Sequence, residues 1–397
     1  TKAGEWATGA KAETVHDLMQ AVNVRQEQWA EEAGIPPLLA HFGVTFVERA
    51  LIDAYCRRHG ESVGAVLRAN GLGVRLGDLH AELGDMAPSA GIPDVALDNV
   101  ASRHTVGLAD PLEETDITDE DRPADDLPVS LRTVCRHYRL HDFKIKVAGE
   151  PGAALARLER IVRLIGEETK GNYVASIDGN ETFTSIEPFR EFWEEAKTVP
   201  ALAELWPRLM FVEQPLHRAQ ALDAGVGHSL AAWTDHPPML IDESGGTAED
   251  LRRALELGYI GVSHKNCKGV IHGLANRCLL SRRMTQQPGL ALQMSGEDLS
   301  NVGPIALPQD LAVQAALGNA SVERNGHHYF AGLSGWPKSV GLQALVKYPG
   351  LYDAAGDGSA RVKVIGGRLN LVAVNRTAFG GPRVDLSGAG ECWLEQG

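Results

Sequence analysis

The chain has 397 residues, of which 44% are hydrophobic, and a net charge of −14. That length supports a large buried core, as one big domain or one plus a smaller one. The acidic balance excludes the basic footprint of a nucleic-acid binder. Five scattered cysteines (Cys56, Cys135, Cys267, Cys278, Cys392) without CxxC spacing point to a reducing compartment, with no disulfide framework and no zinc cluster. No apolar run approaches the ~20 residues of a membrane span, and no signal peptide opens the chain, so a cytoplasmic location is expected.

In chain order, the first segment is helical. Thr14 and Asp17 sit three apart, as in an N-terminal cap, ahead of VHDLMQAVNVRQEQWAEEAG. In GVTFVERALIDAYCRRHG, residues Val44, Val47, Ala50, Leu51 and Ala54 recur at helical spacing and predict one buried stripe. From about residue 100 short apolar strand candidates alternate with amphipathic helices. The strands are RHTVGLADPL, HDFKIKVAG, NYVASIDGN, RLMFVEQPL, PPMLIDESGG, GYIGVSHKN, GLALQMSGED and HHYFAGLSG. Eight strands separated by helices over roughly 240 residues predict a parallel (β/α)8-type barrel. The rival, an open doubly wound sheet, should carry a glycine-rich phosphate loop, and neither GxGxxG nor GxxxxGK[ST] occurs. The acidic run DPLEETDITDEDRPADD (110–126) reads as a solvated loop. The tail reads as a helix or turn followed by strands (ARVKVIGGRLNLVAV). Three parts follow: a largely helical N-terminal region over 1–98, the barrel over 99–344, and a C-terminal segment, 345–397, packing back on the start of the chain.

The strand ends carry the chemistry. They read Lys146, Asp178, Glu213, Asp242 and Lys265, separated by 32, 35, 29 and 23 residues, each about one βα unit. In a closed barrel these ends meet around one pocket. Three carboxylates from adjacent strands need a cation between them, and oxygen ligands suit a hard ion such as Mg²⁺. Lys144 and Lys146 alternate in one strand and so share a face. A second ammonium and a nearby metal favour the neutral form of a lysine base, so Lys144 is expected to keep Lys146 available. A metal with bases on either side points to proton abstraction from carbon next to a carboxylate. Taken singly, each acid has a plainer reading as a helix cap and each lysine as a surface charge.

KIK (144–146), DGN (178–180), VEQP (212–215), IDES (241–244) and SHKNCKG (263–269) together resemble the enolase superfamily, in its muconate-lactonizing enzyme-like and mandelate racemase-related part. FVERALIDAY (46–55) is similar to the capping-domain helix ahead of the barrel. The resemblance covers roughly residues 12 to 390. It implies a modified (β/α)7β barrel with an α+β capping domain formed by the chain ends. It makes Asp178, Glu213 and Asp242 ligands of Mg²⁺, Lys146 the base on one face of the substrate carbon and Lys265 the acid or base on the other. Asn180, Gln214 and Glu243 would support them. Lys268 competes with Lys265 for its role. Glu297 and Asp298, at the seventh strand end, would touch substrate or cap a helix. His328, with His327 and Trp336, lies near the eighth strand end as a possible pocket residue. His264 should point away from the site, and His104 and His141 read as ordinary structural histidines. The mandelate racemase-like histidine of the seventh strand is missing from LQMSGED, and the Asp-x-Asp of dipeptide epimerases from the eighth. The N-terminal sheet expected of the family is also missing, as if the chain were trimmed.

The implied activity is racemisation or epimerisation of a small-molecule carboxylate, through an enediolate, by a homo-oligomer with no nucleic-acid or membrane partner. The alternative is a lyase expelling water or an amine after the same first step. A metal-free Schiff-base aldolase using Lys146 or Lys265, or an inactive binding protein, would fit less of the pattern.

Overall fold

A computed structural model describes residues 2–120, 122–297, 301–376 and 378–387, apart from the side chains of Pro37, His327, His328 and Tyr329. The chain opens with four helices, α1 (Lys2–Gly9), α2 (Val15–Ala33), α3 (Pro37–His59) and α4 (Val63–Arg68). Thr14 caps α2 as expected, accepting from Asp17 N at 3.0 Å.

The barrel strands are β1 (Asn99–Val106), β2 (Asp142–Lys146), β3 (Val174–Asp178), β4 (Leu209–Glu213), β5 (Met239–Ile241), β6 (Gly261–His264), β7 (Gln293–Gly296) and β8 (Ser321–Asn325). Each pairs in parallel with the next, and β8 pairs with β1 from Ala101↔Ser321 to Thr105↔Asn325, which closes the barrel. Between strands run α5 (Leu131–Tyr138), α6 (Pro151–Thr169), α7 (Ile186–Thr198), α8 (Ala224–Ala232), α9 (Ala248–Leu257), α10 (Val270–Gln286) and α11 (Ala306–Leu317). After β8 come α12 (Gly326–Ala331) and α13 (Lys338–Lys347), the small hairpin β9 (Tyr352–Ala354) and β10 (Ala360–Val362), and β11 (Arg368–Asn370), which adds antiparallel to β1. The core is one continuous apolar layer between the strands and their helices. Helix packing is tight enough that a Cβ on Gly273 of α10 would stand 2.2 Å from the His264 ring.

Two expectations are corrected. The eighth strand is SVERN, not HHYFAGLSG, whose first residues form α12. Only Val322 is a large apolar residue in that strand, because Glu323 turns a buried charge into the barrel and its neighbour Arg324, also buried, alternates to the other face. The buried stripe of α3 is Val44, Thr45, Glu48, Arg49, Ile52 and Cys56, while Ala50 and Ala54 are exposed. The two charged residues are buried because each has partners. Glu48 accepts from Val270 N at 2.6 Å and Ile271 N at 3.1 Å, and so satisfies buried amides that have no partner within the first turn of α10. Arg49 donates to Gln309 Oε1 at 3.0 Å and lies 3.6 Å from Asp310 on α11. Helix α3 is thereby clamped across the helices that follow β6 and β7.

After β11 the chain returns to the first helices. Ala378 N donates to Glu61 O at 3.0 Å and Phe379 N to Asp53 Oδ1 at 3.3 Å. The acidic run is partly tied down: Glu113 accepts from Arg132 at 2.7 Å and Glu114 from Arg122 at 3.2 Å. The four described cysteines are free and buried, and among the described residues no helix is long and apolar enough to cross a membrane.

Candidate active site

The C-terminal ends of β2 to β6 bring Lys146, Asp178, Glu213, Asp242 and Lys265 to one end of the barrel. Register places Lys146 beside Asp178 and Asp178 beside Glu213. Asp178, Glu213 and Asp242 are buried. The turn after β3 runs close beneath Pro215, and a Cβ on Gly179 would come within 2.6 Å of Pro215 Cα. Gly179 is therefore needed for the β3 and β4 turns to approach each other.

Lys146 Nζ donates to Asn180 Oδ1 at 3.1 Å and lies 3.9 Å from Asp178 Oδ2. Asn180, at φ 45°, also donates from its backbone N to Asp178 Oδ1 at 2.8 Å. It therefore links the acid to the lysine. Gln214 ties the β4 and β5 ends together. Its Oε1 accepts from Asp242 N at 2.8 Å, and its Nε2 donates to Ser244 Oγ at 2.8 Å. Glu243 Oε1 accepts from Asn180 Nδ2 at 3.4 Å. Burial, with Asp242 beside it, raises the Glu243 carboxyl to about 7.

Lys265 Nζ donates to Asp242 Oδ2 at 2.6 Å. Burial opposes the charge on Lys265, but Asp242 prevails and holds the ammonium above the ordinary lysine value. Lys268 is more buried. It donates to Ser263 O at 3.0 Å and sits 2.9 Å from Asp242 Oδ1. Against the burial cost, Lys265 and Lys268 hold Asp242 well below the usual carboxylate range.

Lys144 is surrounded by acids. Its Nζ lies 2.8 Å from Glu213, 2.9 Å from Glu297 and 3.3 Å from both Asp178 and Glu323. Burial works against its charge, yet these carboxylates raise it well above the ordinary lysine value. Its charge is thus spent on its neighbours, which weakens the electrostatic effect on Lys146 expected from the sequence. Glu297 neither caps a helix nor stands at the surface. It is fully buried and pairs with Arg103 and Lys144, which hold it well below the carboxylate range despite burial.

Five acids (Asp178, Glu213, Asp242, Glu297, Glu323) lie among five cations (Arg103, Lys144, Lys146, Lys265, Lys268). Burial, then the nearby Glu297, pushes the Glu213 carboxyl well up, and burial with Glu297 raises Glu323 to about 7. Among the described residues, no group of three or more His, Cys, Asp or Glu stands arranged around a metal position. Lysine ammonium groups lie against those oxygens. Glu213 Oε2 and Asp242 Oδ1 are nevertheless buried without a well-directed hydrogen bond. The donor chemistry, buried carboxylate oxygens two of which lack a hydrogen bond, fits a hard divalent cation.

Arg103, Glu323 and Ser263 escaped the sequence reading. Glu323 was hidden by misplacing β8, although a further βα period after β7 reaches it. Asp298 and the His328 side chain lie outside the described residues. His264 is buried on the α10 side with its ring depressed to about 3 by burial, consistent with a structural role. His104 packs on Phe330, and His141 hydrogen-bonds Asn172 O at 2.7 Å.

No family model matches the sequence, and no curated protein matches it. Solved structures do. An N-succinyl Arg/Lys racemase from Bacillus cereus matches at TM-score 0.57 and 12% identity, over 98% of this chain and 80% of that one. Muconate lactonizing enzyme from Pseudomonas putida matches at 0.57 and 15%, over 98% and 83%. A dipeptide epimerase from Cytophaga hutchinsonii, complexed with Mg and D-Ala-L-Val, matches at 0.53 and 14%, over 98% and 81%. The chain therefore has the barrel-and-cap fold of the mandelate racemase and muconate lactonizing enzyme proteins, the fold expected from its motifs.

Proposed function

We propose that the protein is an enolase-superfamily enzyme that moves a proton on the carbon next to a small-molecule carboxylate, as a racemase or epimerase. The observation that carries this reading is the order of groups on five adjacent strand ends: lysine, acid, acid, acid, lysine. The neighbours of like fold include racemases and epimerases. Lys146, as the free amine, takes the Cα proton from one face, and the C–H electron pair moves into the carboxylate as an enediolate. Lys265, as the ammonium, returns a proton to the other face. Asn180 orients Lys146, and Asp242 orients Lys265.

Asp178, Glu213 and Asp242 would hold Mg²⁺, which would supply positive charge against the negative charge that develops on the substrate carboxylate. Binding requires Lys144, Lys265 and Lys268 to release some of the oxygens they contact. Glu243 and Gln214 fix the loop that carries Asp242. A cytoplasmic homo-oligomer belongs to the same reading, and a monomer on sedimentation would refute that part.

The test is deuterium uptake. The protein is incubated with Mg²⁺ in D₂O against a panel of chiral carboxylic acids, and products are read by mass. A gain of about one mass unit without other change is the expected result for proton transfer at one carbon. Loss of water or ammonia would make the enzyme a lyase using the same first step. No change across the panel would overturn the reading.

A further inference from the structure

Beside Lys265 a cavity of about 580 Å³ opens between α3 and the turns after β6 and β7. Phe42, Phe46, Pro304, Ile305, Trp336 and Leu386 line much of it. Phe42 and Phe46 are 40% and 55% exposed, and their rings meet edge to face at 5.1 Å. Ile305 is 45% exposed. Large apolar side chains gathered at the edge of a reacting group favour an apolar ligand surface.

The charged groups of the lining already have partners. Arg49 is held by Gln309 and Asp310, and Asp310 also accepts from Asn266 Nδ2 at 2.7 Å. Asp53 accepts from Arg57 Nε at 2.7 Å. A second carboxylate or an ammonium on the ligand would have to break one of these pairs to be satisfied, whereas an apolar group would cover the rings at no such cost. The rings are also pre-positioned, because Glu48 and Arg49 clamp α3 just past Phe46.

We infer that the substrate is a carboxylate whose side group is bulky and apolar. That group lies against Phe42 and Phe46 while the reacting carbon sits at Lys265. The inference rests on the proton-transfer reading, but its binding prediction can be tested separately.

The test compares phenyllactate with malate, 2-hydroxy acids that differ in their side group. Affinity is measured by calorimetry on the full chain with Mg²⁺, and α-proton exchange is followed in parallel in D₂O. Phenyllactate is expected to bind roughly tenfold or more tighter than malate, about the discrimination one well-filled apolar pocket supplies. Phe46→Ala should remove most of that preference and leave malate unchanged. Phe46 is more than half exposed, so its truncation spares the fold, and Phe42→Ala serves as a second variant. Equal affinities, a preference for malate, no binding of phenyllactate, or a preference untouched by both variants would each overturn the groove assignment. Tight phenyllactate binding without exchange on any carboxylate would leave the groove standing and sink the proton-transfer reading. Exchange on malate without phenyllactate binding would do the reverse.

Discussion

Lys144 and Lys146 lie two residues apart on one face of β2 and reach the same oxygen, Asp178 Oδ2, at 3.3 Å and 3.9 Å. Their surroundings diverge from there. Lys144 is buried among four acids, while Lys146 is 29% exposed and hydrogen-bonded to Asn180. One strand motif has yielded an internal counter-charge and a lysine open to the barrel mouth.

Lys144→Met should be strongly destabilising. It leaves Glu213, Glu297, Glu323 and Asp178 without their shared cation, and breaking a buried ion cluster costs on the order of 3–5 kcal/mol. Denaturant unfolding of the two proteins at neutral pH checks this. A loss below about 1 kcal/mol, the range of an exposed pair, would mean that Lys144 is not their counter-charge.

Glu48→Ala should remove both acceptors of the first α10 amides. The expected cost is about 1–3 kcal/mol, with the loss concentrated in early α10. Amide exchange at Val270 and Ile271 reports it directly. Unchanged protection there would show that the clamp on α10 comes from elsewhere.

The buried His104 ring is depressed by burial from 6.5 to about 4. The unfolded chain therefore binds a proton that the folded chain refuses across that window. Stability from this group is complete above about pH 6.5 and is lost as pH falls toward 4, by about 3 kcal/mol. His104→Phe removes the titrating ring, so the stability difference between wild type and variant should shift in favour of the variant as pH falls. A pH-independent difference would contradict the burial of a neutral ring.

Mg²⁺ should raise the melting temperature, since a ligand at about 100 times its dissociation constant adds roughly 2.7 kcal/mol. Glu213→Gln should abolish the shift. A shift that survives in Glu213→Gln would place the ion elsewhere, and no shift in the native protein at about 10 mM Mg²⁺ would refute the ligand assignment.

Much of this architecture was legible in the sequence because β2 to β6 end in a lysine or an acid after an apolar run, one βα unit apart. The failures share a physical cause: charge buried where apolar residues were expected. SVERN shows little strand pattern because Glu323 and Arg324 are buried charges, and Lys144 and Thr105 meet Glu323 inside the barrel. The stripe of α3 was misread because Glu48 and Arg49 take core positions through partners more than 200 residues away. Periodicity reports hydrophobicity, and it cannot see a partner that distant in sequence.

The most direct test of the central claim is stereospecific exchange. Lys146→Ala and Lys265→Ala are each incubated with both enantiomers of an accepted substrate in D₂O, and α-deuterium uptake is followed by NMR. Each variant should lose exchange on one enantiomer by about 10²-fold or more. The two variants should fail on opposite enantiomers, with the Mg²⁺ thermal shift retained. Equal loss on both enantiomers, or loss together with the thermal shift, would contradict two opposed lysines acting on one carbon.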